Sequence, residues 1–587
     1  MKMLKKFIDL LSFDERKHTA FLVVIILIMA LLDMIGVASI LPFIAVLSNP
    51  DFIETNFILN SMFRTSNIFG VTNHTEFMFA LGVLVFVLLV VSLSFKALTT
   101  YVQARFVYMC EHSISRRLIE GYLNQPYSWF LNRNSAELGK TILSEMSQVV
   151  GGGIKPLIEI LAKGMVATAL IILLMITDFK LALIVGISIS ASYGIIFYLI
   201  RSFLSRIGKK RFKSNEFRYN IINEVFGGIK EVKIGGLEKT YVKRFSDPSI
   251  DYARTQAYAS ALQQLPRFAL EVIAFGGILL VILSYIGQNN SFNTALPIIT
   301  LYAFAGYRLM PAVQQIYSSF TQLNFVGPAL NKLHDDIKNL DPYNYNQNQS
   351  VLPFKDKITL KNIHYFYPNA SRTTLKDISI NIPVQTTVGL IGATGCGKTT
   401  AVDIILGLLQ AQKGTLEVDG QIITKHNTRA WQRSIGYVPQ NIYLADDTVA
   451  SNIAFGEDPE YIDQKAVEKS SKIANLHDFV MDELPHKYQT TIGERGIRLS
   501  GGQRQRIGIA RALYNNPKVL ILDEATNALD SQTEQAVMDA VNKLSKDITI
   551  ILIAHRLNTL KKCDIIFKLE KGKLVDQGTF DELIERQ

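Results

Sequence analysis

Cysteine is scarce. Three residues in 587, Cys110, Cys396 and Cys563, stand too far apart for a metal-binding spacing or a disulfide framework. Charge is scarce as well: 19% of residues are Asp, Glu, Lys or Arg against 48% hydrophobic, a balance that excludes a wholly soluble protein of this length and fits a chain that is part membrane, part soluble. Acidic residues are the minority, 51 against 61 Lys and Arg, for a net charge of +10. In an apolar chain that surplus points to basic cytoplasmic loops rather than to nucleic acid, and no nucleic-acid partner is expected. The N-terminus, Met1–Phe7, is basic but lacks the short apolar core and small-residue cleavage site of a signal peptide. Phe7, Ile8, Leu10, Leu11 and Phe13 instead line one face of a short helix, expected to lie on the cytoplasmic membrane surface.

Six apolar segments, near 19–47, 76–103, 157–177, 180–202, 265–286 and 295–320, are long enough to cross a bilayer, which takes about 20 residues each. Only Asp178 and Phe179 separate the third from the fourth, which demands a tight external hairpin. The segments after spans two and four carry Arg105, Arg116, Arg117, Arg133, Lys140, Arg206, Lys209, Lys210 and Arg211, whereas the opposite loops carry little beyond Arg64 and Lys180. The positive-inside rule puts both long loops and both termini in the cytoplasm. Within those loops, Pro126–Phe130 and Glu224–Lys230 are candidate contacts for a soluble domain. The external loop 48–75 is rich in Phe, Ile and Leu and reads as a short amphipathic helix, either a packed cap or a surface that touches a lipid tail. Asp341–Ser350 is Asn/Gln-rich and aperiodic, a linker. The fold class expected is a polytopic α-helical membrane domain of six spans over 1–340, a linker over 341–356, and an α/β P-loop ATPase domain with a helical subdomain over 357–587.

In the last part, the apolar run Val388–Ile391 reads as a buried strand. Gly392, Ala393, Thr394, Gly395, Cys396, Gly397, Lys398, Thr399 and Thr400 follow, then a helix-like stretch to Leu409. That is the context a P-loop requires. Its glycines let backbone N–H groups curl around phosphate, Lys398 supplies a point charge, and Thr399 offers a hydroxyl to Mg2+. A second apolar run, Val519–Leu522, precedes Asp523 and Glu524. Asp523 is placed to hold Mg2+, and Glu524 to orient or deprotonate an attacking water. His555, at the end of the strand Thr549–Ala554, can contact the γ-phosphate. Gln440, after Ile435–Pro439, can report Mg2+ and γ-phosphate to the membrane domain.

These motifs, with Leu499-Ser500-Gly501-Gly502-Gln503 in order between them, resemble the ATP-binding cassette superfamily, and specifically exporters with a membrane domain fused before the cassette. The resemblance covers essentially the whole chain. It implies ATP and Mg2+ as cofactors, a multi-pass protein of the bacterial inner membrane, and stacking of Tyr367 on adenine. It also implies that the Ser500–Gln503 signature reaches ATP held by a second subunit, with Asn527–Asp530 crossing the interface and Thr491–Gly496 touching the partner's loops. One P-loop and one signature per chain imply a dimer; a homodimer suffices, and a heterodimer is the alternative.

Three cations interrupt apolar spans at similar depth: Lys96, Arg267 and Arg308. Charge inside a span usually faces a polar cavity or a partner, and these three are candidate ligands for an anionic headgroup. Snorkelling is the rival for Lys96 and Arg267, and Glu271 stands one turn from Arg267 to neutralise it. The segments Lys96–Leu98, Pro266–Arg267, Leu301–Pro311 and Glu231–Ile234 resemble one exporter subgroup, the bacterial flippases of lipid-linked oligosaccharide, although Lys96 stands where that subgroup favours arginine. The resemblance implies a polyprenyl-pyrophosphate-linked glycan as substrate, moved to the outer leaflet among membrane lipids. The alternative is an exporter of amphipathic drugs, lipid A or phospholipids.

Overall fold

The computed structural model describes residues 2–585 apart from 49, 51, 67, 69–70, 72, 178, 288–291, 341–349, 368–372, 494–495, 526–530, 544–546 and 554–559. The chain forms two compact units, Met1–Gln125 with Asn132–Tyr343, and Pro126–Leu131 with Asn344–Gln587. The aromatic segment at 126–130 thus belongs to the second unit.

The first unit is all helix: α1 (Lys2–Leu10), α2 (Phe13–Ala38), α3 (Ile40–Ser48), α4 (Phe57–Ser66), α5 (His74–Leu123), α6 (Lys155–Thr177), α7 (Phe179–Gly227), α8 (Glu238–Gly287) and α9 (Phe292–Asn339). Helix covers each of the six apolar segments. Among the described residues, three stretches, Phe13–Leu47, His74–Leu123 and Ala136–Thr177, are long and apolar enough to cross a membrane. At 50 residues, α5 and α8 are about 75 Å long, more than twice a hydrocarbon core of about 30 Å. The surplus carries the basic residues out beyond the spans. Helix α2 starts at a capping box, with the Ser12 hydroxyl accepting from the Glu15 N–H and the Glu15 carboxylate accepting from the Ser12 N–H.

Helix α1 packs part of its apolar face on the protein. Phe7 and Leu10 are buried, the Phe7 ring lies where a side chain at Gly153 would be, and Lys6 donates to Asn331 on α9. Ile8 and Phe13, on the face read from the sequence, stay exposed. Ahead of α6, the helical path from Ser135 includes two π-helical segments, Lys140–Glu145 and Val150–Ile154. Between them and α7 lies a buried ion pair: Arg211 Nη2 donates to Glu145 at 2.8 Å, and Asn215 Nδ2 donates to the other carboxylate oxygen at 2.9 Å.

The second unit holds two sheets. An antiparallel sheet of order β2-β1-β4-β5 comprises β1 (Lys357–Tyr365), β2 (Leu375–Pro383), β4 (Lys413–Val418) and β5 (Gln421–Ile422). The main sheet runs β10-β9-β3-β8-β7-β6, from β3 (Thr387–Ile391), β6 (Ile435–Val438), β7 (Val519–Asp523), β8 (Thr549–Ile553), β9 (Ile565–Glu570) and β10 (Lys573–Gly578). All pairings within it are parallel except β9–β10. Strands β7 and β8 are buried at every residue, which is why they read as continuous apolar runs. Helices α10 (Lys398–Ile405), α11 (Gln464–Ile473) and α12 (Gly501–Tyr514) flank the sheets, α11 and α12 contributing to a helical subdomain.

Candidate functional site

The P-loop joins the carboxyl end of β3 to the start of α10, where ligands of open parallel sheets bind. Gly392 and Gly397 have φ of 144° and 110°. A side chain at Gly392 would meet the Leu569 carbonyl and the Cys396 sulfur, and one at Gly397 would meet Leu375. Glycine is therefore required at both by conformation and by space. Lys398 is buried, and its amine donates to the Gly392 carbonyl at 2.8 Å and to that of Ala393 at 3.3 Å. The loop thus holds its own cation at its mouth, while Ala393, Thr394, Gly395 and Thr399 are exposed. Cys396 is buried beneath the loop as a packing residue.

Two strands along, β7 ends at Asp523, which is buried. Glu524 follows in a left-handed conformation, φ 49°, its N–H donating to the Ile553 carbonyl at the end of β8. Gln440 Nε2 donates to the Glu524 carboxylate at 2.8 Å. The residues suggested by sequence as Mg2+ ligands, Thr399, Gln440 and Asp523, offer a hydroxyl, an amide carbonyl and a carboxylate. This hard-oxygen set with a single carboxylate suits Mg2+, which takes its other ligands from phosphate and water. When bound, the ion would neutralise charge on the β- and γ-phosphate oxygens. Asp403, on α10, is pushed up to about 6, first by burial and then by the charge of Asp523. Sequence reasoning did not single it out.

The Tyr367 hydroxyl lies 3.1 Å from the Thr400 hydroxyl, and its ring stands edge-on to Tyr365 at 5.1 Å. An aromatic face is thereby held beside the P-loop. Ser500 caps α12: its hydroxyl accepts from the Gln503 N–H at 3.2 Å, and the Gln503 side chain accepts from the Ser500 N–H at 2.7 Å. The box fixes Gly501 and Gly502 in the first helical turn, with N–H groups aimed out of the helix end. His555 and Asn527–Asp530 lie outside the described residues, as do Glu494 and Arg495 of the Thr491–Gly496 segment.

Arg511, on α12, is a further residue that sequence did not single out. Nε donates to the Asn452 carbonyl at 2.7 Å, Nη1 to the Tyr443 carbonyl at 2.8 Å and Nη2 to Asn452 Oδ1 at 3.2 Å. Burial pulls its pKa down to about 10, so it stays charged at neutral pH. It straps the chain just after Gln440 to the helix that begins at the signature. Arg511→Ala leaves two carbonyls without this donor, a cost of about 1–3 kcal/mol each where they are buried. We expect ATPase activity to fall on the order of tenfold while a fluorescent nucleotide analogue still binds; wild-type turnover would remove the strap from the mechanism.

In the membrane unit, all three sequence-selected cations have carboxylate partners. Arg308 Nη1 donates to Asp33 Oδ1 at 2.7 Å, and Lys96 Nζ lies 3.7 Å from Asp33 Oδ2. Arg267 Nε donates to Glu271 at 2.8 Å, one turn along α8. Arg267 has the partner the sequence suggested for it, whereas Asp33 is a partner for Lys96 and Arg308 that sequence reasoning did not name. Lys96 and Arg308 share one carboxylate, whereas Arg267 is matched one-for-one by Glu271.

Residues 19–312 match the family described as ABC transporter transmembrane region, and residues 375–527 match that described as ABC transporter. The ATP-dependent lipid A-core flippases of Wigglesworthia glossinidia brevipalpis and Saccharophagus degradans are 32% and 31% identical over 485 and 483 residues, spanning 81% of this chain in each case and 81% and 79% of their own. A solved bacterial Atm1-family ABC exporter with ATP bound shares the fold, with a TM-score of 0.79 over 97% of this chain and 96% of its own at 22% identity. The chain belongs to the ABC transporter family. It is a half-transporter, a helical membrane domain fused to one cytoplasmic ATPase domain, and it is an ATP-driven exporter. The substrate in the relatives' names is the lipid A of the alternative reading, not the lipid-linked oligosaccharide expected first.

Proposed function

We propose that this chain is a flippase of anionic glycolipid, of the lipid A-core class, working as a homodimer. The observation that supports it is a charged cluster in which cations outnumber carboxylates: Lys96 and Arg308 share Asp33, with Lys163 and Glu159 near enough to act on the same group. A surplus cation in apolar surroundings is costly and serves an anionic headgroup rather than a cationic drug. The names of the relatives favour lipid A-core over other anionic lipids. A second reading, polyprenyl-pyrophosphate-linked oligosaccharide, rests on α4. Its Leu59 packs with Val46, Ile53, Phe77 and Leu81 as a cap, but Phe57 and Ile58 stay exposed and suit a long apolar tail.

The test is ATPase stimulation and translocation in proteoliposomes with lipid A-core, a polyprenyl-pyrophosphate glycan, phosphatidylethanolamine and a cationic amphiphile. Lipid A-core is expected to stimulate. A response to the polyprenyl lipid alone establishes the second reading, and a response to the cationic amphiphile alone overturns both. The homodimer has its own test. Lys398→Ala and Gly502→Asp chains, each inactive alone, should regain ATPase activity when mixed, because one composite site is then intact. Mixtures no more active than either parent would count against it.

A further inference from the structure

We infer that Asp33 is an internal stand-in for the phosphate of the transported lipid, holding Lys96 and Arg308 until that phosphate takes them over. The inference rests on the anionic-glycolipid reading and adds to it a residue that sets affinity. Asp33 lies on α2, Lys96 on α5 and Arg308 on α9, so the carboxylate ties three helices together. Its two oxygens are divided between the two cations, Oδ1 to Arg308 at 2.7 Å and Oδ2 to Lys96 at 3.7 Å. Ser92 Oγ adds a 3.5 Å contact to Oδ1. A phosphate offers the same divided acceptors.

The exposures decide the direction of the exchange. Side-chain exposure is 3% for Asp33, 16% for Arg308 and 31% for Lys96. The carboxylate is the buried member of the cluster and the cations are the more accessible ones. An arriving anion therefore meets the ammonium and the guanidinium without displacing Asp33 first. A phosphomonoester has more charge and more acceptor oxygens than a carboxylate, so it competes well for both donors. Without substrate, Asp33 spares the helices two unpartnered cations. With substrate, it weakens the hold on the headgroup and so favours release. A clamp that only joins helices would have no such competition.

The experiment measures the lipid concentration giving half-maximal ATPase stimulation in detergent micelles. The lipids are lipid A with two phosphates, its dephosphorylated form, and a polyprenyl-pyrophosphate glycan, which distinguishes the two sources of phosphate. Asp33→Asn is expected to lower that concentration on the order of tenfold for whichever phosphorylated lipid stimulates the wild type, and to leave the dephosphorylated lipid unchanged. An unchanged or higher value, or an equal drop with the dephosphorylated lipid, overturns the inference. Where Asp33→Asn does not fold, Asp33→Asn/Lys96→Gln removes one charge of each sign and keeps the wild-type surplus. Competition predicts affinity at least equal to wild type, because Arg308 has lost its rival acceptor. Affinity below wild type means that cation number alone matters, and overturns it. A wild type unresponsive to both phosphorylated lipids overturns the glycolipid reading and this inference with it; a responsive wild type unaffected by Asp33→Asn overturns the inference alone.

Discussion

Glu524→Gln is expected to slow steady-state ATP hydrolysis by about 10²-fold or more while ATP binding survives. The substitution keeps shape and hydrogen bonding but removes the base, and it spares Asp523 one residue earlier. Its main-chain setting argues for a functional rather than a structural role. A non-glycine residue at φ 49° costs about 1–3 kcal/mol and persists where the surroundings hold it. Here the N–H is held by the Ile553 carbonyl and the side chain by Gln440. The purified variant should accumulate as a nucleotide-bound species under turnover conditions. Undiminished phosphate release in a steady-state assay would take the base role away from Glu524.

Glu145→Ala should produce the largest loss of stability in the membrane unit. Arg211 is fully buried, and among the described residues its Nε and Nη1 have no hydrogen-bond partner, so the bond from Nη2 to Glu145 carries the neutralisation of the cation. Removing one member of a buried pair costs about 3–5 kcal/mol, because the other charge remains without compensation. Thermal unfolding in detergent should shift down accordingly. Glu145→Ala/Arg211→Met, which removes both charges, should recover most of the loss. A single variant that melts with the wild type would show that Arg211 does not depend on Glu145.

The nucleotide site was legible because its chemistry is local. A strand, a glycine loop and a helix start follow one another in the chain, so Gly392–Thr400 and Asp523–Glu524 could be placed without any long-range contact. The Arg267–Glu271 pair was legible for the same reason, being one helical turn apart. Asp33 was not. Its partners Lys96 and Arg308 are distant in sequence, and no spacing rule links them. The available signal was the carboxylate itself, alone in the apolar run of the first span, where a charge implies a partner. Arg511 is similar: one arginine among several near the signature, distinguished only by the carbonyls that the fold brings to it. The packing of α1 was hidden for another reason. An amphipathic face for a membrane surface and one for a neighbouring helix have the same periodicity, so the approach of Phe7 to Gly153 could not be read from it.

The two π-helical segments ahead of α6 also set the phase of that span. Each π turn takes in about one residue more than an α turn, which rotates everything beyond it by roughly 100°. Lys140 begins the first segment, and its buried amine lies 3.7 Å from Glu216 and 4.4 Å from the centre of the Phe212 ring, both on α7. Deleting one residue between Lys140 and Glu145 would let that turn close to α geometry. The helix would be straighter and its hydrogen bonding more regular, yet Lys140 and Glu145 could no longer face α7 together. The extra residue works as a washer does on a bolt: it adds nothing to the grip, and it decides which way the head points when the thread is tight.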